Sequence, residues 1–315
     1  MSRKKVFITG ASGFIGKRLI QNLSSKNDYF ILTRKNIEWN LADNFKIING
    51  SLEDLPTLTD KIGNLDVIIH LAAEIKDESK MVSVNINGVK SLCDFACKTE
   101  TKKIIHLSSV GVMGKQFSRN ETVVDENTYC TPLNEYERTK LRSELILKEF
   151  KSNSEVELVI FRPTNVFGDE HPRKVLLNFM STMQNEKRIP FVGGALVNYV
   201  YVNDLVNCIL FSMNQQMKEK VYLIGNAVLL NDLMDSIAKK GGFRDKRMKL
   251  PRFLVDFLYF MKYFGSRKLR LKIQAVSNGI IYNGNKIMNE TKLKYHLEEG
   301  IERTFEYYRN NKWLK

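Results

Sequence analysis

The chain has 315 residues, 43% of them hydrophobic, so it is long and apolar enough to bury a full core, which excludes disorder as its default state. Its formal charge of +14 is unevenly spread: Arg244 to Lys315 holds 17 Lys or Arg against 7 Asp or Glu. That basic segment has no zinc-finger spacing, no RNA-binding aromatic signature and no basic heptad helix, so nucleic acid is not an expected partner.

Taken in chain order, Arg3, Lys4 and Lys5 precede only a short apolar run ending at Gly10, which is no signal peptide; a cytoplasmic location is expected. Short apolar runs then recur at Val6–Ile8, Tyr29–Leu32, Phe45–Ile48, Val67–Ile69, Ile104–Ile105 and Val156–Ile160. Near-continuous hydrophobicity, rather than alternation, marks strands covered on both faces. Helix-length segments Phe14–Ser24, Ser79–Lys98 and Glu135–Lys151 lie between several of them. This alternation predicts an α/β fold, a Rossmann-type doubly wound parallel sheet joined by right-handed crossovers.

After Gly168 the rhythm loosens around Lys187–Pro190, Tyr199–Val202 and Val221–Ile224, with helical stretches between. The expected organisation is an NAD(P)-binding Rossmann domain over 1–168 and a smaller C-terminal substrate-binding lobe of mixed α/β structure over 169–315, interleaved as one unit. Phe253–Phe264 holds ten apolar residues among twelve, flanked by Arg247, Lys249 and Arg252 and by Arg267, Lys268 and Arg270. It is too short to span a bilayer, which needs about 20 residues. Packing within the lobe is one reading and peripheral membrane contact the other. Cys93, Cys97, Cys130 and Cys208 are too few and scattered for a disulfide framework, and none has the partners of a metal site, so no metal is expected.

Strand Val6–Thr9 runs into Gly10-Ala-Ser12-Gly13-Phe14-Ile15-Gly16, placing three glycines between a strand and a helix. Gly10 makes the tight turn, Gly13 lets backbone approach a pyrophosphate and Gly16 permits close helix–sheet packing. The helix N-terminus offers N–H groups and a positive dipole end to phosphate. After the second strand stands Thr33-Arg34-Lys35 rather than a carboxylate, which favours NADP(H) through Arg34 and leaves NAD(H) open.

Tyr136 and Lys140 are spaced to share one helix face one turn apart, where the ammonium lowers the phenol pKa from about 10 toward working pH. Strand Ile104–Leu107 ends in Ser108-Ser109, at the sheet edge where open α/β folds bind ligands, so Ser109 is placed to orient a reacting oxygen. The expected chemistry is hydride exchange between a nicotinamide and a secondary alcohol or ketone, with Tyr136 moving the proton.

TGASGFIG at 9–16, HLAA at 70–73, LSSVGVMG at 107–114, YERTK at 136–140 and FRPTNVFG at 161–168 follow one another in the order of extended short-chain dehydrogenase/reductases. Over nearly its whole length the chain resembles the NAD-dependent epimerase/dehydratase family. The resemblance implies that Ser109, Tyr136 and Lys140 are the catalytic triad. It implies cofactor contacts from Gly10, Ser12, Gly13, Phe14, Ile15, Gly16, Leu71, Ala72, Ala73, Asn85, Tyr136, Lys140 and Pro163. Substrate contacts are expected from Ser109, Tyr136 and Asn165, with a nucleotide-linked sugar as substrate and a homodimer as the assembly. Departures from the family are Ser51 for an aspartate, Met113 for a tyrosine and Val197 near an arginine that grips a diphosphate; His171, Arg173 and Lys174 are candidates to replace that arginine. Ser109 is followed by Val110 and Gly111 instead of the acidic pair of dehydratases. The leading expectation is a nucleotide-sugar 4-keto reductase, the alternatives a UDP- or dTDP-sugar epimerase with bound NAD, a steroid- or flavonoid-type carbonyl reductase, and a non-catalytic NADP-binding protein.

Overall fold

The computed structural model describes residues 3–34, 41–115, 117–118, 120–171, 176–185, 189–191, 193–244, 246–251, 253–254, 257 and 277–314. Lys35, Arg173, Lys174, Lys187, Arg252, Arg267, Lys268 and Arg270 lie outside this set, as does most of the apolar run 253–264.

Seven parallel strands form the main sheet: β1 (Lys5–Thr9), β2 (Asp28–Thr33), β3 (Phe45–Asn49), β4 (Val67–His70), β5 (Lys103–Leu107), β7 (Glu157–Pro163) and β11 (Val221–Ile224). Their order is β11-β7-β5-β4-β1-β2-β3, so the chain reverses its direction of winding between β1 and β4. The carboxyl ends of those two strands flank the crevice in which such sheets bind ligands. Alternate residues of β1 explain the layering. Val6 and Ile8 join the face covered by Leu19 and Ile20 of α1 (Phe14–Gln21) and by Leu205 and Ile209 of α7 (Val202–Asn214). Phe7 joins the other face, beneath Val89, Leu92 and Phe95 of α4 (Gly88–Lys98) and Leu147 of α5 (Glu135–Ser152). Burying both faces is why these strands are apolar throughout.

The helix expected over Ser79–Lys98 is three pieces in register: α3 (Glu78–Met81), a widened π turn over Val82–Asn87, and α4. A π turn inserts one residue into the helical ladder and is frequent at functional sites; this one carries Asn85. Two short helices, α2 (Thr59–Ile62) and α6 (Leu177–Gln184), flank the sheet and the lobe.

The remaining strands build the lobe over the sheet's carboxyl edge. β8 (Asn165–Phe167), β10 (Leu196–Tyr201) and β12 (Asn226–Leu229) form one small sheet, β6 (Thr122–Val124) pairs with β14 (Ile280–Tyr282), and β9 (Ile189–Phe191) with β13 (Arg247–Lys249). α8 (Leu230–Gly241) and the C-terminal helix Leu297–Asn310 pack beneath them. Among the described residues no helix is long and apolar enough to cross a membrane.

α5 starts at Asn134, whose side-chain oxygen accepts the Glu137 N–H at 3.0 Å, and has Glu135 and Glu137 in its first turn and Lys151 in its last. Its inward face is polar. Glu144, fully buried, accepts from Arg162 Nε at 2.9 Å and Nη2 at 2.6 Å and from Ser108 Oγ at 2.5 Å, tying α5 to β7 and to the end of β5. Two parallel N–H···O bonds make a directional clamp, and burial makes either member costly alone. Glu144→Ala is expected to destabilise the protein by about 3–5 kcal/mol, read as the midpoint of urea unfolding; a loss under about 1 kcal/mol would match an exposed pair instead.

Candidate active site

The glycine turn is built as its sequence implies. Gly10 adopts φ +75°, and a Cβ there would fall 2.5 Å from Ala72 N, so the turn lies flat against the backbone that follows β4. A Cβ on Gly16 would fall 2.3 Å from Gly10 O, which fixes how closely α1 packs on the turn. At Gly13 an added Cβ would meet Gly10 O alone, at 3.2 Å, so the outer side of the turn is open. No side chain caps α1 and no acidic residue stands in its first turn. An uncapped positive helix end over an open glycine is a cradle that fits a dinucleotide pyrophosphate.

Ser12, Phe14 and Ile15 surround this cradle, and Leu71, Ala72 and Ala73 face it from the end of β4, all half-buried. Arg18 bonds Asp169 at 2.5 Å, and the Phe14 ring meets His171 edge-on at 4.7 Å, so the segment after β8 is fastened to the turn. His171 therefore belongs to the rim of the cradle.

The YERTK segment opens α5, and the residues that follow it repeat at helical spacing: Tyr136, Thr139, Lys140, Ser143 and Glu144. All but the half-buried Tyr136 are fully buried. The Thr139 hydroxyl accepts from Asn85 Nδ2 at 3.1 Å, while Ser143 Oγ donates to Asn85 O at 2.6 Å. Asn85 in turn accepts the Glu74 N–H at 2.7 Å and donates to Glu74 O at 3.0 Å. Asn85 is thus a clamp that binds the loop after HLAA to the helix of Tyr136 and Lys140. Thr139, Ser143, Glu74 and Glu144 were not among the residues singled out from the sequence. The signal was present, as polar residues at i, i+3, i+4, i+7 and i+8 where a packed helix carries apolar ones.

Lys140 is 2% exposed and donates from Nζ to Leu107 O at 2.6 Å. Burial pushes its pKa down to about 8, against the opposing attraction of Glu144. Ser109, at the start of the turn after β5, accepts the Gly111 N–H at 3.1 Å. Beside Gly111, Glu137 is buried with Oε2 accepting the Leu133 N–H at 2.7 Å. Below Lys140, His70 and His106 are fully buried. Burial first, and the Lys140 charge second, holds His70 down to about 3 and His106 well below the usual imidazole range. Both imidazoles are neutral at pH 7.

The other expected residues divide. Arg34 immediately follows β2 as an exposed side chain, and Pro163 closes β7 as a buried one. Asn165, on β8, is exposed and donates to Asn198 O at 3.1 Å. Met113 packs with Val112, Val124, Leu223, Ile280 and Tyr282 in a small apolar cluster, so the residue replacing the family tyrosine serves the core. Ser51 Oγ accepts the Glu53 N–H, and Asp54 accepts from Ser51, capping the turn Leu52–Thr57. Val197 lies on β10 opposite Val228 of β12.

Comparison with known proteins gives one consistent picture. Residues 6–225 match the model of the NAD dependent epimerase/dehydratase family. The N-acetyl-alpha-D-glucosaminyl-diphospho-ditrans,octacis-undecaprenol 4-epimerase of Escherichia coli O157:H7 is 31% identical over 219 residues, 66% of this chain and 62% of that protein. The dTDP-D-glucose 4,6-dehydratase of Mus musculus is 25% identical over 98% of this chain and 89% of its own length. Two solved structures share the fold: UDP-glucose 4-epimerase of Thermotoga maritima with UDP-glucose, at TM-score 0.74 and 22% identity over 98% of this chain and 99% of that one; and UDP-glucuronic acid 4-epimerase of Bacillus cereus in complex with NAD, at 0.73 and 21% over 98% and 99%.

The geometry separates two glycines. Gly16→Ala should lower the melting temperature more than Gly13→Ala, because its Cβ would run into backbone that the Gly13 Cβ only touches at 3.2 Å; equal losses in thermal scans would contradict the packing described. The two histidines make a second expectation. Their folded pKa values lie below the unfolded value of 6.5, so the unfolded chain binds the extra protons, and stability falls as pH drops below 6.5. By pH 5.5 the loss should be about 1.4 kcal/mol per histidine. Urea midpoints that stay level from pH 7 to 5.5 would show that the folded and unfolded chains take up protons equally, and so that burial does not hold the imidazoles neutral.

Proposed function

From the membership of the chain in the NAD-dependent epimerase/dehydratase family, we propose that it is a nucleotide-sugar 4-epimerase, oxidising a secondary alcohol of the sugar and returning hydride to the other face. The observation that carries this reading is Lys140, buried one turn after Tyr136 on a helix tied down by Asn85 and Glu144. The cradle of Gly10, Gly13 and Gly16, with Ser12, Phe14, Ile15, Leu71, Ala72, Ala73 and Pro163 around it, would hold NAD, which supplies the hydride acceptor and donor when bound. Tyr136 takes the hydroxyl proton as the alcohol is oxidised and gives it back on reduction. The Lys140 ammonium lowers the Tyr136 pKa so that both directions run near neutral pH. Ser109 and Asn165 orient the sugar, and the lobe built from β6, β8, β10, β12 and β14 covers it. A dehydratase outcome is disfavoured because Val110 and Gly111 follow Ser109, and Glu137 is engaged with backbone. Exposed Val82 and Leu145, each 46% accessible on neighbouring helices, support a homodimer through this face. The reading places the protein in the cytoplasm.

A second reading, a 4-keto reductase using NADPH, is favoured by exposed Arg34 at the end of β2, where a 2′-phosphate would lie. The two separate by the fate of the cofactor. With UDP- or dTDP-hexoses the epimerase yields the C4 epimer with no net change in reduced-nicotinamide absorbance. Stoichiometric NADPH oxidation by a 4-keto sugar, with an Arg34→Ala protein that loses NADPH affinity and keeps NADH affinity, selects the reductase. Under either reading, Tyr136→Phe and Lys140→Ala should lower turnover by about 10²–10⁴-fold while Tyr136→Phe still binds cofactor; parental activity in Tyr136→Phe would sink both.

A further inference from the structure

His70 ends β4 and His106 lies one residue short of the end of β5, paired in register, with stacked rings 5.2 Å apart and inclined by 19°. Thr9 Oγ1 accepts the Ala72 N–H at 3.3 Å and lies 2.7 Å from His70 Nδ1. The Thr9–His70 hydrogen bond fixes the His70 ring against β1, with the donor set by the His70 tautomer. His106 Nε2 is 3.4 Å from Lys140 Nζ. An ammonium has donors and no acceptor, so Nε2 is the bare nitrogen of His106 and its proton sits on Nδ1. That Nδ1 is buried without a hydrogen-bond partner. A buried donor left unmatched is costly and calls for an explanation; here the explanation is what the opposite nitrogen does.

We propose that His106 is a positioning residue for Lys140: its neutral imidazole accepts one ammonium N–H while Leu107 O accepts a second, which leaves the third for the cofactor ribose and Tyr136. The proposal rests on the reading of Tyr136 and Lys140 as the proton-handling pair. The charged and titratable groups that act on Lys140 fit it: Glu144 from its own helix, His106 from β5 and His70 from β4, with Arg162 of β7 behind Glu144. Both imidazoles are kept neutral by burial, and a protonated His106 would repel the ammonium it now holds. The Thr9–His70 pair backs the His106 ring and keeps its stacking face occupied.

The test uses the whole chain. His106→Phe keeps a ring against His70 and removes the acceptor, His106→Leu replaces it should the phenylalanine protein not fold, and His106→Gln restores an acceptor oxygen. Loss of the acceptor weakens the ammonium, hence the Tyr136 phenolate. The apolar variant should lose about tenfold in kcat with KM for the sugar unchanged, and the ascending limb of kcat against pH should move upward. Calorimetry should show NAD affinity falling about fivefold, with His106→Gln recovering most of each change. In the Lys140→Ala protein the same His106 substitution should have no further effect on NAD affinity. Losses that add in this double-mutant cycle, or an apolar variant equal to the parent in kcat, pH limb and NAD affinity, overturn the proposal. Coupling in NAD binding by a parent that turns over no nucleotide sugar would retire the epimerase reading and leave His106 in place.

Discussion

A carboxylate with no access to solvent, Glu144, is bonded to a guanidinium nearly as deep, Arg162, and the arrangement of the candidate site follows from that pair. Taking two charges out of water is expensive, and the attraction between them repays it only in good geometry with the remaining valences filled. Here Ser108 fills one of them. Because Ser108 immediately precedes Ser109, and Glu144 sits one turn beyond Lys140, the pair sets the distance between the end of β5 and the helix that carries Tyr136 and Lys140. α5 packs on the sheet through directional bonds on its polar face as well as through Leu147, and directional bonds leave little freedom to slide or rotate.

Such a helix face creates the electrostatics of the site as a by-product. Lys140 is drawn into a dry space where its neighbours are a backbone carbonyl, neutral imidazoles and a carboxylate already shared with Arg162. Its ammonium is therefore less stable than in water, and the group is poised to respond to a proton moving nearby. The orphaned Nδ1 of His106 belongs to the same region. An unmatched buried polar group beside a candidate reaction centre is a local cost that the surrounding apolar clusters offset.

Above the edge, two positions at which the sequence departs from the family pattern are apolar in the fold. Met113 is withdrawn into an apolar cluster with Tyr282 and Leu223, and Val197 faces Val228 across a strand pair. Both side chains serve packing. His171 is fixed against Phe14 at the rim of the glycine cradle. The buried polar stripe thus constrains the sheet edge more strongly than it constrains these positions above it.

The amino-acid sequence by itself determined six strands of the sheet, the glycine turn and the spacing of Tyr136 and Lys140, because each depends on local period, whereas Val221–Ile224, read as part of the lobe, is the seventh strand only through its pairing with β7. Unbroken apolar runs state that a strand is covered on both faces, and a strand–glycine–helix junction can only be built one way. It also placed the helix of Asn85, though not its π turn, since one inserted residue leaves the apolar spacing nearly intact. What Asn85 does was decided by tertiary structure: the resemblance implied a cofactor contact, and the fold uses its amide to join Glu74 to Thr139. The same holds for His70, His106, Glu144 and Arg162. Each read as one polar residue in an apolar strand or an amphipathic helix, and nothing local distinguishes a solvated side chain from a buried one. Their partners lie 18 to 61 residues away in the chain, and only strand register and helix docking bring them together, where loss of water gives their bonds the strength that a sequence cannot display.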